Sequence, residues 1–411
     1  MGDTRKPFLP YARQHVAQED IDAVVEVLRS DWWTQGPTIA RFEEALAQAT
    51  GARDVVACAT GTAALHLAML ALGLGPGDTV VTSANTFLAD ANCARYVGAD
   101  VVFADVDPDT GNMTPETLET ILKADSHKRI KAVIPVHFAG QPVDLPRIHQ
   151  MASRHGAAVV DDACHALGAS YESEHTSHRV GSGAHSEMTV LSFHPVKHVA
   201  TGEGGAIATG DKRLAERLRT FRTHGITKSD FVQTEWAYAP DGSINPWYYE
   251  MSELGFNYRL TDLQAALGVS QLKRLDWSVQ RRNEIARWYQ CLIAERFRSG
   301  RVRPLSTRDG VVHGYHLFVS RIDFVACGKN RAEVMNRLRE AGIGTQVHYI
   351  PVPLQPYYRR VYDSRPGQFP GAELYYSQAL SLPMYPDLTE SDCERVITEL
   401  VTVLGEDGRR A

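Results

Sequence analysis

The strongest constraint on the fold is an alternation along the first half of the chain. Between about residue 40 and residue 210, amphipathic, helix-like stretches take turns with short runs rich in valine and isoleucine. Arg41 to Thr50 reads as a helix, Val55-Val-Ala-Cys58 as a strand and Ala63 to Leu72 as a helix. Thr79 to Thr82, Asp100 to Phe103, Ala132 to Val136 and Ala157 to Val160 read as further strands, each bounded by glycine, proline or aspartate. Strands that are apolar on both faces must be covered on both faces, so the pattern predicts an α/β fold around a mostly parallel sheet. Sites in such sheets lie at the carboxyl ends of the strands. Polar residues gather there: Thr60-Gly-Thr62, Asn85-Thr-Phe87, His137 and Asp161-Asp162.

Past residue 210 the pattern turns helical, with Lys212 to Thr223 and then a helix opened by Thr261 or Asp262 that runs into Arg281 to Arg296. A second lobe is expected from about residue 280, with strands at His316 to Asp323 and Gly344 to Tyr349 around a helix at Arg331 to Ala341. The expected division is a large domain over 1–280, including an N-terminal arm over 1–40, and a smaller α+β domain over 281–411. Between Thr227 and Met251 the chain is irregular and aromatic, with Trp236 and Trp247, and a loop of that length is functional or covers an interface.

The net charge of −6 and the lack of a basic run argue against nucleic acid as a partner. No apolar stretch is long enough for a membrane span, and the first ten residues lack the apolar core of a signal peptide, so a cytoplasmic location is expected. The six cysteines form no Cys-x-x-Cys pair and the sixteen histidines no His-Glu-x-x-His spacing, so no metal is assigned.

The most informative segment is Val190-Leu-Ser-Phe-His-Pro-Val-Lys197-His-Val-Ala-Thr-Gly-Glu-Gly-Gly205, which holds one lysine on a loop between two apolar runs. A loop lysine taken at random merely solvates its loop. Desolvation, however, makes an amine a nucleophile toward carbonyls, and other features gather around this one. Thr60-Gly61-Thr62 follows a strand and opens a helix, so its amides offer a phosphate site, although simple capping explains the same residues. Asp161-Asp162 ends a strand, and one of the two must face the crevice; Asp162 is assigned there, as the partner of a protonated pyridinium nitrogen. Ser192 offers a hydroxyl to the same phosphate, and His165 and Phe87 offer flat faces to an aromatic ring. A phosphate cradle, a strand-end aspartate and a loop lysine, in that order, describe a pyridoxal 5'-phosphate (PLP) site.

The chain also resembles the PLP-dependent nucleotide-sugar aminotransferases of the DegT/StrS type. The resemblance runs over nearly the whole length and rests on Asp31-Trp-Trp-Thr-Gln-Gly36, Gly61-Thr-Ala-Ala-Leu65, Asp162-Ala-Cys-His-Ala-Leu-Gly168, Ser192-Phe-His-Pro-Val-Lys197, Gly202-Glu-Gly-Gly205 and Gly255-Phe-Asn-Tyr-Arg-Leu-Thr-Asp262. It implies PLP-dependent transferase fold type I, aspartate aminotransferase-like, with a seven-stranded sheet in the large domain. It also implies that Lys197 is the catalytic lysine joined to the cofactor, and that Asp162 pairs with the ring nitrogen. Further implications are that His165 lies against the ring, that Gly61, Thr62 and Ser192 hold the phosphate, and that Asn257 reaches the phosphate of the neighbouring subunit of a homodimer. Tyr11, Trp33, Thr34, His348 and Tyr349 match positions that contact the nucleotide sugar.

Three further segments, Arg222 to Phe231, Val347-His-Tyr-Ile-Pro351 and Ala379 to Pro386, resemble the branch that moves the amino group of L-glutamate to C4 of a UDP-4-keto-6-deoxy-N-acetyl-hexosamine. Within it, the resemblance points to the type that forms UDP-4-amino-4,6-dideoxy-N-acetyl-β-L-altrosamine in pseudaminic acid biosynthesis. Pro353 departs from that pattern, where a histidine is common. The alternatives are another UDP- or dTDP-keto-sugar aminated at C3 or C4, and a non-catalytic regulatory protein of the same fold. The family's dehydratases carry histidine in place of the lysine, which Lys197 argues against.

Overall fold

The computed structural model describes residues 7–405, so residues 1–6 of the expected arm and 406–411 of the expected second domain lie outside it. Its largest sheet has seven strands: β1 (Asp54–Cys58), β2 (Thr79–Ser83), β3 (Asp100–Ala104), β4 (Ile130–Ile134), β5 (Ala158–Asp162), β6 (Met188–Ser192) and β7 (Gly205–Thr209). Their spatial order is β1-β7-β6-β5-β4-β2-β3, and every neighbouring pair is parallel except the two that involve β7. The mostly parallel seven-stranded sheet expected from the sequence is therefore present.

Both faces are covered, as the apolar runs require. In β1, Val55 and Ala57 join a core with Phe42 and Leu46, while Val56 and Cys58 join the opposite core with Leu65 and Met69. This is the two-residue period of a strand buried on both sides. The helices Pro37–Thr50, Leu145–His155 and Asp262–Leu272 line the first face, and Gly61–Leu72, Ala89–Tyr96 and Lys212–Arg222 line the second. Truncating a fully buried leucine such as Leu67 would cost about 2–5 kcal/mol in such a core.

The reversed strand β7 decides where the site sits. Gly205 at its start pairs with Cys58 at the end of β1 and with Ser192 at the end of β6. The loop from β6 to β7, which carries Lys197, therefore turns back over the edge where the parallel strands end. Packing there is close: a Cβ on Gly205 would lie 2.3 Å from the carbonyl oxygen of Thr60. Glycine is the only residue that lets this turn lie against β7.

A third core is built from the helices Leu275–Arg296, Arg331–Glu340 and Glu390–Leu404 against an antiparallel sheet of β8 (Val302–Pro304), β9 (Phe318–Ile322) and β10 (Ala379–Leu382). Two expectations fail here. Gly344 to Tyr349 is not a strand: it is extended chain held by single bridges from Ile343 to Leu9 and from Gln346 to Ser381. The place beside β9 is taken by Ala379–Leu382, and His348 and Tyr349 turn toward the cavity described below. Nor does the helix opened by Thr261 run unbroken to Arg296. It ends at Leu272, and a new one starts at Leu275; between them Arg274 leaves helical geometry (φ −111°, ψ 11°), and its guanidinium pairs with Asp20. Thr261 is the N-cap, in a capping box with Gln264. The Thr227 to Met251 excursion is closed at its base by a two-residue ladder, Ile226–Thr227 with Glu250–Met251, and carries the exposed rings of Trp236 and Trp247.

Candidate active site

A cavity of about 420 Å³ opens at the carboxyl edge of the large sheet. Its wall holds ten of the side chains singled out from the sequence: Lys197, Asp162, His165, Ser192, Gly61 and Thr62 on one side, and Phe87, Tyr11, His348 and Tyr349 toward the other. Three are absent from that wall. Trp33, Thr34 and Asn257 are exposed and lie on neighbouring stretches of backbone, for Thr34 bridges Thr261, Asn257 bridges Thr223, and the amide of Asp262 donates to the carbonyl of Trp33 at 2.9 Å. Two sequence motifs thus meet there, and Asp262 locks them by accepting from the amides of Gly36 at 2.8 Å and Thr38 at 2.9 Å.

Each element presents its residue for a local reason. Thr60 caps the helix Gly61–Leu72 by accepting from Ala63 at 3.0 Å, which leaves the amides of Gly61 and Thr62 without an intrahelical acceptor. They sit beside Ser192, and a Cβ on Gly61 would come 3.0 Å from that of Ser192. This is a concave group of donors at the positive end of a helix, the arrangement that binds phosphate. In β5 the two acids part as the strand period requires. Asp161 is fully buried, with His137 Nε2 at 3.0 Å and the Thr189 hydroxyl donating at 2.8 Å. Asp162 faces the cavity and accepts from the amide of Cys164 at 2.8 Å.

Behind Asp162 lies Asp90, fully buried, which accepts a hydrogen bond from the Thr86 hydroxyl. Burial, and then the Asp162 carboxylate, push the Asp90 carboxyl well above the usual carboxylate range, which favours its neutral form. Lys197 is pushed the other way: burial lowers its ammonium from the ordinary lysine value, against the opposing pull of Cys164, Asp162 and Asp90. The imidazoles around it are held neutral by burial, His165 and His316 well below the ordinary value and His348 at about 3. His165 lies 6.3 Å from the Tyr349 ring at 26° and 4.3 Å from that of His316. A buried amine, an aspartate and an anion cradle then share one sheltered space. That set fits PLP: the ring of a pyridine aldehyde phosphate needs a phosphate cradle, an acid at the far end and an amine beside its aldehyde.

Sequence reasoning missed Asp90, His316 and Cys164. Asp90 carries no local signal, being one acid in a stretch that matches none of the motifs, and His316 reads as the first residue of a strand. Only the fold brings His316 to Lys197, 119 residues away in the chain.

Comparisons with known proteins agree with this geometry. Residues 14–401 match the DegT/DnrJ/EryC1/StrS aminotransferase family. The spore coat polysaccharide biosynthesis protein SpsC of Bacillus subtilis is 40% identical over 398 residues, 97% of each chain. Among solved structures, PseC of Helicobacter pylori, an aminotransferase involved in the biosynthesis of pseudaminic acid, superposes with a TM-score of 0.85 at 28% identity, over 97% of this chain and 100% of that one. Spr1654 of Streptococcus pneumoniae has been solved in a PLP form and a PMP form, each at 27% identity and a TM-score of 0.84, over 97% of this chain and 99% and 98% of those. With fold type I in place around the lysine-bearing edge, the chain belongs to the DegT/DnrJ/EryC1/StrS aminotransferase family.

Proposed function

We propose that this protein is a PLP-dependent transaminase that moves the amino group of L-glutamate to C4 of a UDP-4-keto-6-deoxy-N-acetyl-hexosamine, giving UDP-4-amino-4,6-dideoxy-N-acetyl-β-L-altrosamine. The observation that carries the transamination is the meeting of Lys197, Asp162 and the Gly61/Thr62/Ser192 cradle in one cavity at the strand edge. The sugar is supported by the likeness to PseC, whose name ties it to pseudaminic acid, and by the segments at Val347 to Pro351 and Ala379 to Pro386. A second reading, amination of a different keto-sugar nucleotide, draws on SpsC, the more identical relative, which is named for spore coat polysaccharide.

When bound, PLP supplies a protonated ring that draws the electron pair away from the carbon being deprotonated. The residues around it have separate tasks. The amides of Gly61 and Thr62 and the hydroxyl of Ser192 bind the phosphate, joined by Asn257 of the partner subunit in a homodimer. Asp162 accepts from the ring nitrogen and keeps its proton in place. His165 and Phe87 flank the ring. Lys197, whose burial favours the free amine, would take the proton from the donor's Cα and return it to C4′ of the cofactor, across the nitrogen that joins the two carbons, which is general acid–base work by a single side chain. Tyr11, Trp33, Thr34, His348 and Tyr349 bind the nucleotide sugar, and Pro353, buried in the short helical turn Val352–Leu354 that follows Tyr349 in the chain, bears on which sugar fits. We assign the lobe boundary to residue 280, inside the helix Leu275–Arg296, so that His348 and Tyr349 belong to the smaller lobe.

The test is to give the purified enzyme PLP, glutamate and a panel of UDP- and dTDP-keto-sugars, and to identify the products by NMR. The altrosamine product from the UDP-4-keto substrate is expected. Turnover confined to a dTDP sugar, or amination at C3, would replace this reading with the second.

A further inference from the structure

The cavity holds one contact that the roles above leave unused. His316 Nε2 lies 3.3 Å from Lys197 Nζ. The imidazole is fixed from several sides: its ring packs on His165 at 4.3 Å and faces His198 at 6.0 Å, and its carbonyl accepts from the guanidinium of Arg282. Arg282 is itself almost wholly buried, and beyond Lys197 lie Asp162, Asp90 and Cys164. The other ring nitrogen of His316, Nδ1, is buried and has no hydrogen-bond partner among the described residues.

That orphan nitrogen decides where the proton sits. A neutral imidazole carries one N–H. Were it on Nδ1, a buried donor would be stranded, and buried N–H groups without acceptors are rare because the cost is high. With the proton on Nε2, only an acceptor lone pair is stranded, and the N–H points at Lys197. A donor at that position requires a lone pair on Nζ, so it favours the amine over the ammonium.

We propose that His316 is a positioning residue for Lys197, whose Nε2–H donates to the Nζ lone pair and so favours and orients the free amine. Burial sets the same direction for both groups, lowering Lys197 and keeping His316 neutral, with Lys197, His165, His198 and Arg282 all adding to the effect on His316. Asp162, Asp90 and Cys164 oppose it at Lys197, which is why a specific neutral donor matters there. The inference rests on Lys197 being the amine that does the chemistry.

The experiment reads the amine directly in the cofactor-free protein. Brief acetylation with acetic anhydride transfers an acetyl group to the free-base amine and releases acetate, and peptide mass spectrometry then gives the extent at Lys197 as a function of pH. In the wild type the midpoint should fall below that of the surface lysines. His316→Leu keeps the site dry but removes the donor, and should raise the midpoint by about one pH unit, the equivalent of one hydrogen bond. His316→Gln restores a donor and should move it back. A midpoint that is unchanged or lower in His316→Leu overturns the proposal. A nitrogen-15 NMR spectrum of wild-type His316 tests the tautomer without a variant: a proton on Nε2 is expected, and one on Nδ1 refutes the inference. PLP uptake is a separate arm. A visible absorption band that forms in the wild type and not in Lys197→Ala supports the reading of Lys197, and its failure to form at all would remove that reading whatever the acetylation midpoint.

Discussion

The two walls of the cavity are built in different ways. Asp162, Ser192 and the Gly61–Thr62 turn stand at strand ends or on a capped helix, each fixed by sheet register and covered by a core. His348, Tyr349 and Tyr11 sit on extended chain outside any strand, held by isolated bridges and single side-chain bonds such as His348 Nδ1 to Ser381 Oγ at 2.8 Å. A rigid edge suits groups that must meet reacting atoms to within a fraction of an ångström. Chain outside the sheet changes at lower cost, which suits the choice of sugar.

Substitutions can break this contrast, and the largest effect belongs to the edge. Lys197→Ala should slow the glutamate half-reaction about 10³-fold or more, measured by single-turnover absorbance, since it removes the group that moves the proton. Asp162→Asn should cost about 10²-fold in the same assay, because an amide cannot hold the ring proton as a carboxylate does. Gly205→Ala should destabilise the fold by about 1–3 kcal/mol in denaturant titration and weaken PLP binding, since its Cβ meets the Thr60 carbonyl behind the phosphate cradle. Acid should act through three buried histidines, of which His348 lines the cavity and His198 and His313 do not. His198, His313 and His348 are pushed down to about 3 by burial, so the unfolded chain binds more protons than the folded one below the ordinary imidazole value of about 6.5. Their effect is absent above that value. As pH falls from there toward 3, stability should drop by up to about 1.4 kcal/mol per pH unit for each of them, seen as a falling Tm. The smallest effect belongs to Trp33, exposed beyond the cavity wall: Trp33→Ala should raise KM for the sugar by about threefold to tenfold while changing the glutamate half-reaction less. An equal loss in both halves would erase the contrast.

The edge was also the part legible in the sequence. Period-two alternation says that one of Asp161 and Asp162 faces the crevice, without saying which, and a strand followed by Thr-Gly-Thr and a helix offers a cradle that capping alone also explains. These signals are local, and the fold only assembles them. The rim gave weaker signals. Gly344 to Tyr349 carries strand-like residues, yet pairing is decided by what lies beside it, and Ala379–Leu382 takes the place next to β9. The break at Lys273 and Arg274 has no glycine or proline to mark it, and the partner that Arg274 meets there, Asp20, is 254 residues away. His316 and Asp90 were hidden for a related reason: their importance lies in what they touch, and Lys197 and Asp162 are distant in sequence.

The most direct test of the account is a single-turnover spectrum of the purified protein loaded with PLP. Glutamate should bleach the visible band, and a UDP-4-keto-6-deoxy-N-acetyl-hexosamine added afterwards should restore it as the amino sugar forms. A band that glutamate leaves untouched, or that bleaches equally in Lys197→Ala, would contradict the assignment of the reaction to Lys197 at the strand edge.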